Sequence, residues 1–193
     1  MQSVPPPKTE FCAITWPEGP VDLEIGAGQG LHPIQYCKSN PGRTLIAVER
    51  TRNRFKNLDS RRNGHPDLHN LIIARADAMA FVAHFVPDQA LDRVFLLYPN
   101  PYPKSAQANL RWHRSPFMQF LKQKMKPMAT LHLATNLQWF AAEAVCYMNR
   151  DHHFRTVVQR KLDASHPART HFELKYLARG ETCFDLVFEK ELQ

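Results

Sequence analysis

From residue 21 onward, short apolar and β-branched runs alternate with longer stretches whose apolar positions recur at helical spacing. The runs VDLEI (21–25), TLIAV (44–48), LIIAR (71–75), LDRVFLL (91–97) and TLHLA (130–134) predict strands. Helical patterns at 31–38, 51–62, 78–85, 116–125 and 137–150 fill the gaps. Strands alternating with helices of this length predict parallel pairing through crossover helices, hence a doubly wound α/β sheet. Past residue 151 the pattern changes to two β runs, FRTVVQR (154–160) and CFDLVFEK (183–190), with the polar stretch 163–181 between them. Two late strands fit the reversed edge of a mostly parallel, Rossmann-like sheet of seven. In such folds ligands bind outside the carboxyl ends of the strands, so the informative residues should follow strands.

Composition narrows this picture. At 193 residues and 44% hydrophobic, the chain can bury one substantial core. That predicts a single domain over 21–193 after a flexible, Pro-rich N-terminal segment, 1–20, with consecutive Pro5, Pro6 and Pro7. No apolar run approaches the roughly 20 residues that cross a bilayer, and the N-terminus lacks a signal-peptide core. A cytoplasmic protein without membrane association is expected, as monomer or homodimer. The formal net charge of +7 and pI of about 9.4 favour a polyanionic partner, because clustered Lys and Arg release counterions condensed on phosphates. Cys12, Cys37, Cys146 and Cys183 form no C-x-x-C pair, and the adjacent His152 and His153 lack a third ligand at usable spacing. No metal site is expected.

The first predicted strand runs into LEIGAGQG, so Gly26, Gly28 and Gly30 follow it directly and a helix opens next. Without Cβ atoms this backbone can turn sharply and approach a ligand closely, with free amides at the helix start. The spacing is G-x-G-x-G, not the G-x-G-x-x-G of dinucleotide folds. Glu49 ends the second strand, 19 positions beyond Gly30 (49 minus 30), where a carboxylate can accept from both ribose hydroxyls. Asp77, with Ala78 behind it, follows the third strand, where an acid in a class I methyltransferase meets the adenine amino group. Glu24 precedes the first glycine and can face a methionine ammonium. Taken singly, each acid also reads as a solvated loop carboxylate. Together at three consecutive strand ends they predict a class I fold binding S-adenosylmethionine.

The fourth strand is followed by YPNPYPKSAQANLRWHRSPFM, where Pro99, Pro101 and Pro103 hold extended backbone that cannot join a ladder. This stiff loop resembles the P-D-P-W-P-K loop of the bacterial tRNA (guanine-N7-)-methyltransferases. Pro99, Pro101, Pro103, Lys104, Arg111 and Phe117 stand in the family's places. LHLATN resembles the family's IHFKTDN, and RTHFELKYLARGETCFDLVFEK its closing T-K-F-E … R-G … D-L-x-F pattern. The resemblance spans roughly residues 21–190. It implies a transferase that methylates N7 of guanine in the tRNA variable loop. Glu24, Glu49 and Asp77 match the family's cofactor acids, and Lys104, Thr170, Phe172 and Glu173 its substrate-binding residues.

Two positions depart from the family. The acid of P-D-P, assigned there to catalysis and the cofactor, is Asn100 in this chain, and the substrate-binding acid of T-D is Asn136. Most of the basic run after Lys104 is replaced by Ser105, Ala106, Gln107, Ala108, Asn109 and Leu110. Guanine N7 carries an in-plane lone pair that needs no deprotonation, so the catalytic work is chiefly alignment. An asparagine can orient a base but cannot stabilise, as an anion would, the positive charge growing on the ring. A slowed rate follows from this rather than none.

Three alternatives stay open. Asn100, Pro101 and Tyr102 resemble the N-P-P-Y loop of amino-group methyltransferases, with one proline missing. A catalytically weakened RNA- or cofactor-binding paralogue fits Asn100 and Asn136 equally. The run with Arg50, Arg52, Arg54, Lys56, Arg61 and Arg62 reads as a solvated helix. Alternatively, with Lys122, Lys124, Lys126, Arg150, Arg155, Arg160 and Lys161, it forms a diffuse RNA footprint. Trp112, Trp139 and Phe140 read as packing residues rather than base platforms.

Overall fold

The computed structural model describes residues 15–191, and each expected strand and crossover helix forms within them. In chain order the elements are β1 (Val21–Ile25), α1 (Leu31–Ser39), β2 (Thr44–Val48), α2 (Arg52–Asn63), β3 (Leu71–Ala74), α3 (Ala78–Phe85) and β4 (Leu91–Leu97). Two 3-10 helices (Ser105–Leu110, Trp112–Arg114) precede α4 (Phe117–Lys124), β5 (Met125–Thr135), α5 (Gln138–Arg150), β6 (Phe154–Leu162), α6 (His171–Leu177) and β7 (Cys183–Lys190). The strands form one sheet in the order β3-β2-β1-β4-β5-β7-β6. Neighbours from β3 through β5 pair in parallel, and β7 runs antiparallel to both β5 and β6.

Helices cover both faces, so central strands are buried on both sides and carry apolar residues continuously rather than alternately. The larger core packs Phe81, Met118, Phe140, Phe154 and Phe188 around the sheet, each fully buried and worth about 1.5–3 kcal/mol in transfer terms. The smaller core seats α1 and α2 through Ile34, Cys37 and Leu58.

β1 is buried throughout although it contains two acids, and α1 explains why. His32 and Tyr36 are one turn apart, about 6 Å, and Asp22 and Glu24 are spaced about 6.6 Å along the same strand face. Glu24 Oε2 therefore meets His32 Nδ1 at 2.8 Å while Asp22 Oδ2 accepts from the Tyr36 hydroxyl at 2.6 Å and Arg43 Nε at 2.7 Å. Of these two acids, Asp22 belongs to structure at the amino end of the strand. Glu24 reaches the carboxyl end, where ligands bind.

Three features differ from the sequence expectation. β5 begins at Met125, directly off α4, rather than at residue 130. Pro127 lacks an N–H, and the ladder absorbs it in an irregularity where Met128 takes φ 62°. The polar stretch 163–181 contains α6. Trp16 packs on the larger core, so packing starts ahead of residue 21. The three prolines and Cys12 lie outside the described residues. No helix among the described residues is long and apolar enough to cross a membrane.

Candidate active site

The parallel strands end along one edge, where two adjoining cavities of about 440 and 380 Å³ share Arg54, Tyr98, Pro99, Asn100 and Phe172 in their walls. The first is lined by Glu24, Gly26, Gly28, Glu49, Asp77 and Ala78. Gly26 and Gly28 hold φ of 80° and 58°, and a Cβ at either would project into open space. That clear surface lets a ligand touch backbone. Gly30 does not line the cavity: a Cβ there would stand 2.5 Å from Leu58 Cδ1, so its absence serves the packing of α1 on α2.

The acids of this cavity are oriented rather than loose. Glu49 is 4% exposed, and its two oxygens each accept one backbone N–H, from Gly28 at 2.9 Å and Thr51 at 2.7 Å. One lone pair per oxygen remains, the arrangement a ribose diol requires. Glu24 Oε1 has no hydrogen-bond partner among the described residues, and Glu24 can accept from an ammonium. Asp77 caps α3, with Oδ1 accepting from Met79 N at 3.0 Å and Ala80 N at 3.3 Å. Its Oδ2 is 3.7 Å from the exposed Arg50 and can accept from an amino group. A lining of three carboxylates and two glycines suits the ribose, amino and ammonium groups of S-adenosylmethionine.

The proline loop is held in an unusual shape. Tyr98 and Tyr102 have φ of 54° and 43°, a region side chains disfavour, and they bracket Pro99, Asn100 and Pro101. Asn100 is exposed, and its Oδ1 accepts from Tyr102 N at 3.2 Å. Arg111, 7% exposed, staples the loop to α5. Its fork donates to the carbonyls of Pro101 and Tyr102 at 3.0–3.2 Å and to both oxygens of Glu143 at 2.8 Å. The guanidinium also lies 4.8 Å from the Trp139 ring centroid. His113 donates to the same carboxylate at 2.8 Å, and Arg114 Nε lies 2.9 Å away but out of line for a hydrogen bond. Burial pushes the Glu143 carboxyl up, yet the hydrogen bonds and charges of His113 and Arg111 outweigh it and hold the pKa below its ordinary value.

Of the substrate-side residues, Asn136 lines the second cavity, Thr170 the first and Phe172 both. Thr170 caps α6, its Oγ1 accepting from Glu173 N at 3.0 Å. Phe172 is 40% exposed, and its ring stacks on Tyr176 at 6.3 Å with 21° between planes. The Tyr176 ring in turn lies 5.7 Å from that of Tyr98. Asn136 Nδ2 donates to Glu181 Oε2 at 2.9 Å. Lys104 is exposed and lines neither cavity. Glu173 is fully buried and lines neither. It accepts from Arg169 Nη2 at 2.6 Å and from the Tyr98 hydroxyl at 2.8 Å, so it acts on the cavities through Tyr98.

Sequence reasoning missed Tyr98, His32, Glu143 and Glu181. The T-x-x-E spacing of Thr170 and Glu173 marks a helix start and could have revealed α6. The broad basic footprint is reduced: Lys122 is buried with Nζ on the carbonyls of His152 and His153, at 2.9 and 3.2 Å. Lys124, Lys126, Arg150, Arg155 and Arg160 are paired with Asp88, Asp92, Asp151, Glu189 and Asp185. Arg52, Lys56 and Arg62 on α2 are exposed and have no ion pair among the described residues. Phe140 is core, Trp112 lines the first cavity and Trp139 lies under Arg111.

This sheet order, with a reversed penultimate strand and a glycine- and acid-lined cavity at its carboxyl edge, defines a class I S-adenosylmethionine-dependent methyltransferase. Solved structures agree on the fold. A SAM-dependent methyltransferase from Aquifex aeolicus superposes with a TM-score of 0.62 over 90% of this chain and 84% of that one, at 16% identity. The 16S rRNA methyltransferase KamB gives 0.62 over 90% and 89%, at 18% identity. Residues 18–186 match the family described as putative methyltransferase. A tRNA (guanine-N(7)-)-methyltransferase of Hyphomonas neptunium is 33% identical over 156 residues, 80% of this chain and 69% of that one. Its counterpart from Yersinia enterocolitica is 29% identical over 189 residues, 96% of this chain and 79% of that one. The chain belongs to the tRNA (guanine-N7-)-methyltransferase family.

Proposed function

We propose that this enzyme methylates N7 of a guanine in the tRNA variable loop, in the cytoplasm and through a single domain spanning 21–193. The observation that carries the reading is the pair of cavities meeting at Tyr98, Pro99 and Asn100, with exposed Phe172 in the walls of both. In this reading Glu24, Gly26, Gly28, Glu49, Asp77 and Ala78 hold S-adenosylmethionine, which supplies the sulfonium methyl. Phe172 offers an exposed ring with the Arg54 guanidinium 5.7 Å from its centroid, an aromatic and cation pairing that suits a base and its phosphate, and further exposed cations of α2 meet phosphates.

Guanine N7 takes the methyl with its own lone pair, so the protein removes no proton from it and its residues bind and align. Asn100 stands at the junction and orients the base. The amino-group alternative would use the second lone pair of Asn100 Oδ1, whose first already accepts from Tyr102 N. Purified protein, S-adenosylmethionine and unmodified tRNA, followed by nucleoside mass spectrometry, test the proposal. 7-Methylguanosine is the expected product. Asn100→Asp keeps the acceptor for Tyr102 N and adds an anion beside the ring, which should raise the rate about 10- to 100-fold. A rate lowered by the aspartate, or a different methylated nucleoside, would refute the reading.

A further inference from the structure

We propose that Glu181 is a specificity-determining positioning residue: it fixes the Asn136 amide so that the oxygen, not the amino group, faces the substrate cavity. Asn136 sits at the end of β5 in the wall of the second cavity, and its Nδ2 lies 2.9 Å from Glu181 Oε2. An ionised carboxylate can only accept, so an amide touching it must present its NH2. The Asn136 Oδ1 is then turned away from Glu181 and has no hydrogen-bond partner among the described residues. Glu181 is itself anchored, with its backbone N–H donating to Tyr176 O at 3.1 Å just beyond Gly180, whose φ is 73°.

The consequence is chemical. An asparagine free to rotate reads donors and acceptors alike; one clamped by a carboxylate keeps its oxygen turned toward donors on the cavity side. The N1–H and 2-amino group of guanine are donors, whereas adenine carries a lone pair at N1. Where the family places a substrate-binding acid, this chain places an amide turned into a fixed acceptor, with the negative charge one hydrogen bond away at Glu181. The inference rests on the guanine reading above.

The test uses the full chain with Asn136→Asp, Glu181→Gln and the double variant, read by thermal midpoint and by initial rates on unmodified tRNA with the product identified. Asn136→Asp sets two carboxylates at hydrogen-bonding distance. It should lower the midpoint and reduce kcat/KM for tRNA by about 10-fold or more, since a charge-assisted hydrogen bond is replaced by repulsion. Glu181→Gln alone lets the amide turn and should raise KM for tRNA with cofactor affinity unchanged. The double variant restores a donor against an acceptor and should recover both readouts, which a purely structural defect at either site would not do. If the wild type forms 7-methylguanosine but Asn136→Asp matches it, or the double variant is no better than Asn136→Asp, the positioning role is overturned alone. If the wild type methylates no guanine, the functional reading falls and this inference falls with it.

Discussion

Arg111 provides the sharpest test of how the proline loop is held. Its single planar fork reaches the Pro101 and Tyr102 carbonyls and both Glu143 oxygens, all within 3.2 Å. A lysine keeps the charge but gathers its donors on one atom and cannot span both sets. Truncating one partner of a buried ion pair costs about 3–5 kcal/mol when the other charge is stranded. Glu143 keeps His113 and Arg114 beside it and is 18% exposed, so Arg111→Ala should fall near the lower end, about 3 kcal/mol. Arg111→Lys should cost about 1–2 kcal/mol, the value of one or two lost hydrogen bonds. The catalytic effect should be at least comparable to the effect on stability. A misplacement of about 1 Å in an aligned site costs up to about 100-fold in rate, so at temperatures where it is fully folded Arg111→Lys should lose at least about 10-fold in turnover. Urea titrations give the stability, single-turnover rates on tRNA the alignment, and calorimetry the cofactor affinity, which should change much less. Wild-type turnover and stability in Arg111→Lys would refute the claim that this fork sets the loop.

Three further outcomes follow from the geometry. Glu49→Gln removes one acceptor from a carboxylate already serving two backbone amides, and should weaken S-adenosylmethionine binding by about 10- to 100-fold in calorimetry. Phe172→Ala removes the exposed ring shared by both cavities and should weaken tRNA binding by about 5- to 150-fold, checked by filter binding, since base stacking is worth about 1–3 kcal/mol. Burial lowers the His132 imidazole to about 4. Below the unfolded value of about 6.5 the unfolded chain binds more protons, so stability present above that pH is lost on acidification until about pH 4. From pH 7 to 5 this histidine should cost about 2 kcal/mol, and His132→Gln should flatten that part of the profile measured by denaturant midpoints.

Several strand limits could be read from sequence because their residues are dictated locally. β1, β2, β4 and β7 begin and end where the apolar runs do. Pro127 hid the start of β5, since a proline argues against a strand until the irregularity beside Met128 is seen. α6 was hidden by its brevity and by a charged, histidine-containing stretch that carries little helical period. Tertiary partnership was illegible for a different reason. Spacing along the chain says which residues share a helix face, but Tyr98 and Glu173 are 75 positions apart and Asn136 and Glu181 are 45. The glycines make the point within a single motif. Gly26, Gly28 and Gly30 look alike in sequence, yet the first two face the cavity and the third faces Leu58.

If the two cavities hold cofactor and base as proposed, their common wall joins these occupants thermodynamically. Tyr98, Pro99, Asn100, Phe172 and Arg54 belong to both, so a ligand that stills them in one cavity leaves less ordering for the ligand of the other. By linkage the effect is reciprocal: whatever factor the cofactor adds to nucleic-acid affinity, the nucleic acid adds to cofactor affinity. Loss of the sulfonium charge on methyl transfer then alters the grip on the modified base as well, and tRNA and spent cofactor leave as coupled rather than independent events.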